Sequence, residues 1–89
     1  MKAIVTVVGK DRVGIIAGVC VKLAEYNVNV LDISQTVMQG YFTMMMATDV
    51  SQANIPLAEL ATRMEVAGKE MGLSIRIQRE DIFEAMHRI

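Results

Sequence analysis

The spacing of apolar residues along the chain switches repeatedly between two periods. Lys2 to Val8 alternates and is rich in β-branched residues, which predicts a first strand. From about Gly14 to Tyr26 the period lengthens. Ile16, Val19, Cys20, Leu23 and Ala24 follow the i, i+3, i+4, i+7, i+8 spacing of one buried helical stripe, with Ala17, Val21, Lys22 and Glu25 elsewhere on the circumference. Asn27 stops this helix, because asparagine tolerates the left-handed conformation that ends many helices. Val28 to Met38 and Tyr41 to Val50 read as second and third strands, and the turn signal Gln39-Gly40 makes them a hairpin.

Ser51 to Pro56 breaks the alternation, with Asn54 as the expected N-cap and Pro56 in a first helical turn. Leu57, Leu60, Ala61, Met64, Ala67, Gly68 and Met71 then mark one face of a second helix, which Gly72 stops. Leu73 to Arg79 alternates Leu/Ile/Ile with Ser/Arg/Gln, a fourth strand with one apolar and one wet face. From Asp81 to Ile89 a short amphipathic helix is expected, with Asp81 as cap and Ile82, Phe83, Met86 and Ile89 as its apolar positions. The order β-α-β-β-α-β predicts an α+β, ferredoxin-like sandwich over residues 1–80, with residues 81–89 as a helical tail. Its four-stranded antiparallel sheet carries both helices on one face. Ala3, Val5 and Val7 should face the helices, leaving Ile4, Thr6 and Val8 on the other side in need of cover.

Composition sharpens that need. Hydrophobic residues form 53% of 89 positions, above the roughly 45–50% usual in soluble domains. A chain of this size buries only roughly 60–65% of its unfolded surface. The excess predicts an interface, hence a homodimer or higher homo-oligomer. No apolar run approaches the ~20 residues of a bilayer span, and the start shows no signal-peptide pattern, so no membrane partner and a cytoplasmic location are expected. The net charge of −1, with Lys and Arg scattered, argues against nucleic acid. RNA-recognition domains of this fold also stack bases on aromatic residues of the central strands, and the first strand here has none. Cys20, the only cysteine, reads as a small buried hydrophobe. His87, the only histidine, leaves a metal site without ligands, and no cofactor is implied. The run Met44-Met45-Met46 must split between the two faces of a strand, so it cannot form one ligand cluster.

The chemistry concentrates in the loop Gly9-Lys10-Asp11-Arg12-Val13-Gly14-Ile15-Ile16, between a strand and a helix. Its glycines are spaced as in a phosphate-binding loop, but Ile15-Ile16 stand where Lys and Ser/Thr are required. No histidine stands near a serine or the cysteine, and no carboxylate pair is evident, so the residues offer no catalytic machinery. An acylphosphatase-like hydrolase would suit the fold, with Arg12 and Asn29 imitating its arginine and asparagine, but the loop is short of donors. A purely structural protein-interaction module is the other alternative. There Asp11 and Arg12 would only solvate the loop and Asn29 would end a ladder.

Asp11-Arg12-Val13-Gly14-Ile15-Ile16, followed by Asn27-Val28-Asn29-Val30 at the opening of the second strand, resembles the ACT domain family. The resemblance runs from Met1 to about Arg79 and looks closest to free-standing, glycine-cleavage-type regulators. It implies a regulatory module that binds a small effector, an amino acid foremost, at a subunit interface, and that acts on an unidentified regulated protein. Asp11 would face the ligand's amine, Gly14 and Ile15 would offer backbone N–H groups to its carboxylate, and Asn29 would bind from the neighbouring subunit. Arg12, Val13 and Asn27 complete the ligand-binding set. Val13 stands where the family often has proline, and Gly9 where several amino-acid-binding members have histidine.

Overall fold

A computed structural model of the chain describes residues 1–86, with the backbone alone at Met86. The elements run β1 (Lys2–Lys10), α1 (Ile15–Glu25), β2 (Asn29–Met38), β3 (Tyr41–Asp49), α2 (Leu57–Glu70), β4 (Leu73–Arg79) and α3 (Glu80–Met86). They build the expected ferredoxin-like fold: one antiparallel sheet in the order β2-β3-β1-β4. Ala3, Val5 and Val7 of β1 are fully buried, as are Met44 and Met46 of β3, and they meet Leu60 and Met64 of α2 and Val19 and Leu23 of α1 in one core. Met45, between two buried neighbours, lies on the opposite face and is exposed, so the methionine run splits as period-2 geometry demands.

The turns follow local chemistry. Gln39 and Gly40 both have positive φ (53° and 80°) and join the paired Met38 and Tyr41, the geometry of a type I′ hairpin. Asn27 has φ 59°, its N–H bonds the Ala24 carbonyl, and the next N–H, of Val28, bonds the Leu23 carbonyl. This is a Schellman ending built on asparagine. Among the described residues the one buried polar side chain is satisfied: Thr48 donates its hydroxyl to the Ala3 carbonyl at 2.8 Å.

Three local expectations need correction, and β2 carries an irregularity that the spacing did not show. Of the expected α1 stripe Val19 and Leu23 are buried and Cys20 is half-buried against the core, but Ile16 and Ala24 are exposed and Ile15 is buried instead. The helix starts directly after Gly14, at φ 92°, and the loop before it is tied at two points. Asn54 does not cap α2, whose N-cap is Pro56. Instead it bonds the carbonyls of Glu25 and Tyr26, fastening the loop to the end of α1. In β2 a bulge between Val30 and Asp32 shifts the register, so Val30 and Ile33 both pair beside buried β3 residues, Thr48 and Met46. Finally, α3 begins at Glu80 with no intervening loop. Asp81 bonds the neighbouring Ile82 N–H and the Arg79 guanidinium and does not cap the helix. Ile89 and His87 lie outside the described residues.

Candidate functional site at the two ends of an open edge

The loop after β1 is tied at two points. Asp11 donates its N–H to the Gly40 carbonyl at 2.9 Å, joining it to the tip of the β2–β3 hairpin. Arg12 reaches the other way, its guanidinium donating to the Met71 carbonyl just beyond α2. A cation there meets the negative end of the helix dipole. Gly14 takes φ 92°, ψ 0°, a conformation that L side chains seldom adopt, and its carbonyl accepts the first intrahelical bond, from Gly18 N–H at 2.9 Å. The N–H groups of Ile15, Ile16 and Ala17 therefore open the helix without intrahelical partners, a donor set suited to an anion.

The predicted residues divide by what they do here. Asp11 is exposed and its carboxylate has no partner among the described residues. Val13 is fully exposed, whereas Ile15 turns its side chain into the core and offers only backbone. Arg12 is committed to Met71, and Asn27 uses its side-chain amide on the Gln52 carbonyl at 2.8 Å. Asn29 is exposed at the opening of β2, paired in register with Asp49. Nothing local in the sequence signals the Arg12–Met71 contact, whose partners stand 59 positions apart.

Within the chain the loop and Asn29 do not meet. The loop leaves β1 at Lys10, opposite Tyr41, whereas Asn29 lies level with Asp49 and Lys2. Eight residues of strand separate these levels, about 27 Å at roughly 3.4 Å per residue. The carboxylate of Asp49 is drawn below its ordinary pKa, chiefly by the Ser51 hydroxyl and then by the Ser51 N–H. Grooves lie elsewhere among the described residues. One, of about 430 Å³, follows β4 beside the Ala61, Glu65 and Lys69 flank of α2. Another, of about 280 Å³, separates α1 from α2, where Arg63 sits 5.8 Å from the Tyr26 ring centre and has its pKa raised by the Tyr26 hydroxyl and by Glu59. Among the described residues no group of His, Cys, Asp and Glu could hold a metal ion, and no helix is long and apolar enough to cross a membrane.

The ACT domain family model matches residues 2–78, nearly the whole of this βαββαβ unit. The chain belongs to the ACT domain family. A UPF0237 protein of Listeria innocua is 54% identical over 89 residues, covering all of both chains. Among solved structures, an ACT domain protein from Streptococcus pneumoniae superposes with a TM-score of 0.83 at 48% identity, covering 98% of each chain. A putative glycine cleavage system transcriptional repressor shares the fold, with a TM-score of 0.74 at 22% identity over 88% of this chain and 44% of that one. ACT domains are regulatory modules, typically binding small molecules, and this ACT domain carries the family's fold from strand to strand.

Proposed function

We propose that this ACT domain senses a small zwitterion, an amino acid foremost, as a homodimer or larger homo-oligomer. The ligand would lie between the Asp11–Ile15 loop of one protomer and Asn29 of its partner. One observation carries the reading: every residue from Leu31 to Gly40 is exposed, including four large apolar side chains of β2, Leu31, Ile33, Val37 and Met38. An edge strand left so bare invites pairing with another chain. Ile16, on the flank of α1, adds to the exposed apolar surface.

The positions of the two half-sites favour the same arrangement. If two copies pair β2 edge to edge in antiparallel sense about a two-fold axis, the beginning of one β2 comes beside the end of the other. Asn29 of one copy then approaches the hairpin tip of the other, to which the Asp11 loop is bonded through Gly40. In that setting Asp11 accepts from the ammonium, the helix-start N–H groups donate to the carboxylate, and Asn29 closes the site. The acylphosphatase alternative would require Arg12 to leave its contact with Met71.

The test is a thermal-shift screen across amino acids, followed by titration of Asp11→Ala and Gly14→Ala with whichever ligand stabilises the parent. Sedimentation would be measured on the same samples. Loss of one charge-assisted contact is expected to cost about 1.5–3 kcal/mol, ten- to a hundredfold in affinity. In the isolated protomer a Cβ on Gly14 meets nothing within 4 Å, so any stability cost comes from φ and is measured separately. A monomer at tens of micromolar, or no amino acid that shifts the transition, overturns the reading.

A further inference from the structure

We infer that the β4 edge, opposite to β2, is a docking site for an extended peptide segment carrying an acidic residue between two apolar ones. β4 is the other end strand of the sheet, with no strand beyond it among the described residues, so its outer edge can offer backbone groups to an added strand. Beside it runs the groove of about 430 Å³, walled by the Ala61, Glu65 and Lys69 stripe of α2 and floored by Leu73, Ile75 and Ile77. A strand added to β4 sends alternate side chains to the two faces of the sheet. Those neighbouring Ile75 and Ile77 enter the groove, and the one between them lies beside Arg76 on the open face.

Charge selects the occupant. Glu65 and Lys69 neutralise one another at 3.9 Å, and Arg79 is paired with Asp81 at 2.7 Å. Arg76 is exposed and has no partner among the described residues, which leaves one unmatched positive charge at the middle of the edge. A second copy of the chain suits it poorly. Two β4 strands paired antiparallel about their centres set Arg76 against Arg76, and like charges directly opposite are destabilising. The edge is thus closed to its own kind and open to an acidic strand. The contact supplies the regulated partner of the proposed function and rests on that reading for its purpose, but not for its formation.

The test uses the full chain, labelled with nitrogen-15, and two capped heptapeptides, Thr-Thr-Val-Asp-Val-Thr-Thr and the same peptide with Lys for Asp. The Asp peptide is expected to perturb the β4 amides and to slow exchange of those facing outward, and to bind more tightly than the Lys peptide. Arg76→Glu changes an exposed side chain and should reverse that preference, each affinity moving roughly tenfold. Ala61→Trp should fill the groove and abolish binding of both. Three results overturn the inference: no binding at millimolar peptide, a preference that Arg76→Glu leaves unchanged, or perturbations on β2. The first two leave untouched the effector binding that the thermal-shift screen reads at the other edge.

Discussion

Gly68 sits in the middle of α2 against β4, where helix propensity and packing pull in opposite directions. In a helix interior alanine is favoured over glycine by about 0.8–1.0 kcal/mol. A Cβ added at Gly68, however, would stand 2.9 Å from Ile75 Cγ1, 3.0 Å from the Leu73 carbonyl oxygen and 3.2 Å from Ile75 Cβ. Two of these atoms belong to the backbone or the branch point of a buried strand residue, and neither can turn aside. The helix must lift from β4 while Leu60 and Met64 hold it to the core, at a cost of about 1–3 kcal/mol for overpacking. Gly18 in α1 is the natural control, since its added Cβ meets only the flexible end of Met71, with Cε at 2.6 Å. Gly18→Ala should therefore be neutral or stabilising by up to about 1 kcal/mol, and Gly68→Ala neutral to destabilising by about 2 kcal/mol. Urea unfolding followed by far-ultraviolet circular dichroism, at one protein concentration because association and folding are linked, measures both. Each kcal/mol corresponds to about 4–8 °C in Tm for a domain of this size. If Gly68→Ala proves as stable as Gly18→Ala, the tight approach of α2 to β4 is not what sets the cost.

Two further measurements probe single contacts. Thr48→Val keeps the volume of a fully buried residue but removes its hydroxyl bond to Ala3, and should destabilise by about 0.5–1.5 kcal/mol; a stabilised variant would show that the bond contributes nothing. Asp49, its pKa lowered by Ser51, supports the fold above the ordinary carboxylate pKa and loses that contribution as pH falls through its own lower value. A carbon-13 titration of its carboxyl should give a midpoint below the ordinary range, and Ser51→Ala should raise it; an unmoved midpoint refutes the assignment of cause.

Element order and the identity of the core were legible in the sequence because they depend on period and local turn chemistry. Alternation marked Ala3, Val5 and Val7, and Gln39-Gly40 and Asn27 named their own conformations. The rotation of α1 was not legible, and the loop that leads into it is fastened by Arg12 reaching Met71 and Asp11 reaching Gly40, contacts between distant positions. Asn54 had the chemistry of a cap, but the end of α1 lay closer to hand. The loop Asp11–Ile15 could be read as a site from its glycine and its place before a helix. That Asn29 belongs about 27 Å away in the same protomer follows only from strand register.

The strand made first is also the innermost. β1 takes one edge of its hydrogen bonds from β3 and the other from β4, so Ala3 waits for Thr48 and then for Arg79. During synthesis an apolar strand thus stands with an unpaired side until nearly nine-tenths of the chain exists, and pairing across such sequence separation is slow. Any truncation before the end of β4 would leave a central strand, β1, without one of its two partners. The fold is consequently all-or-nothing in length. Its beginning is kept in place by its end, and premature termination should yield insoluble product in place of a smaller domain.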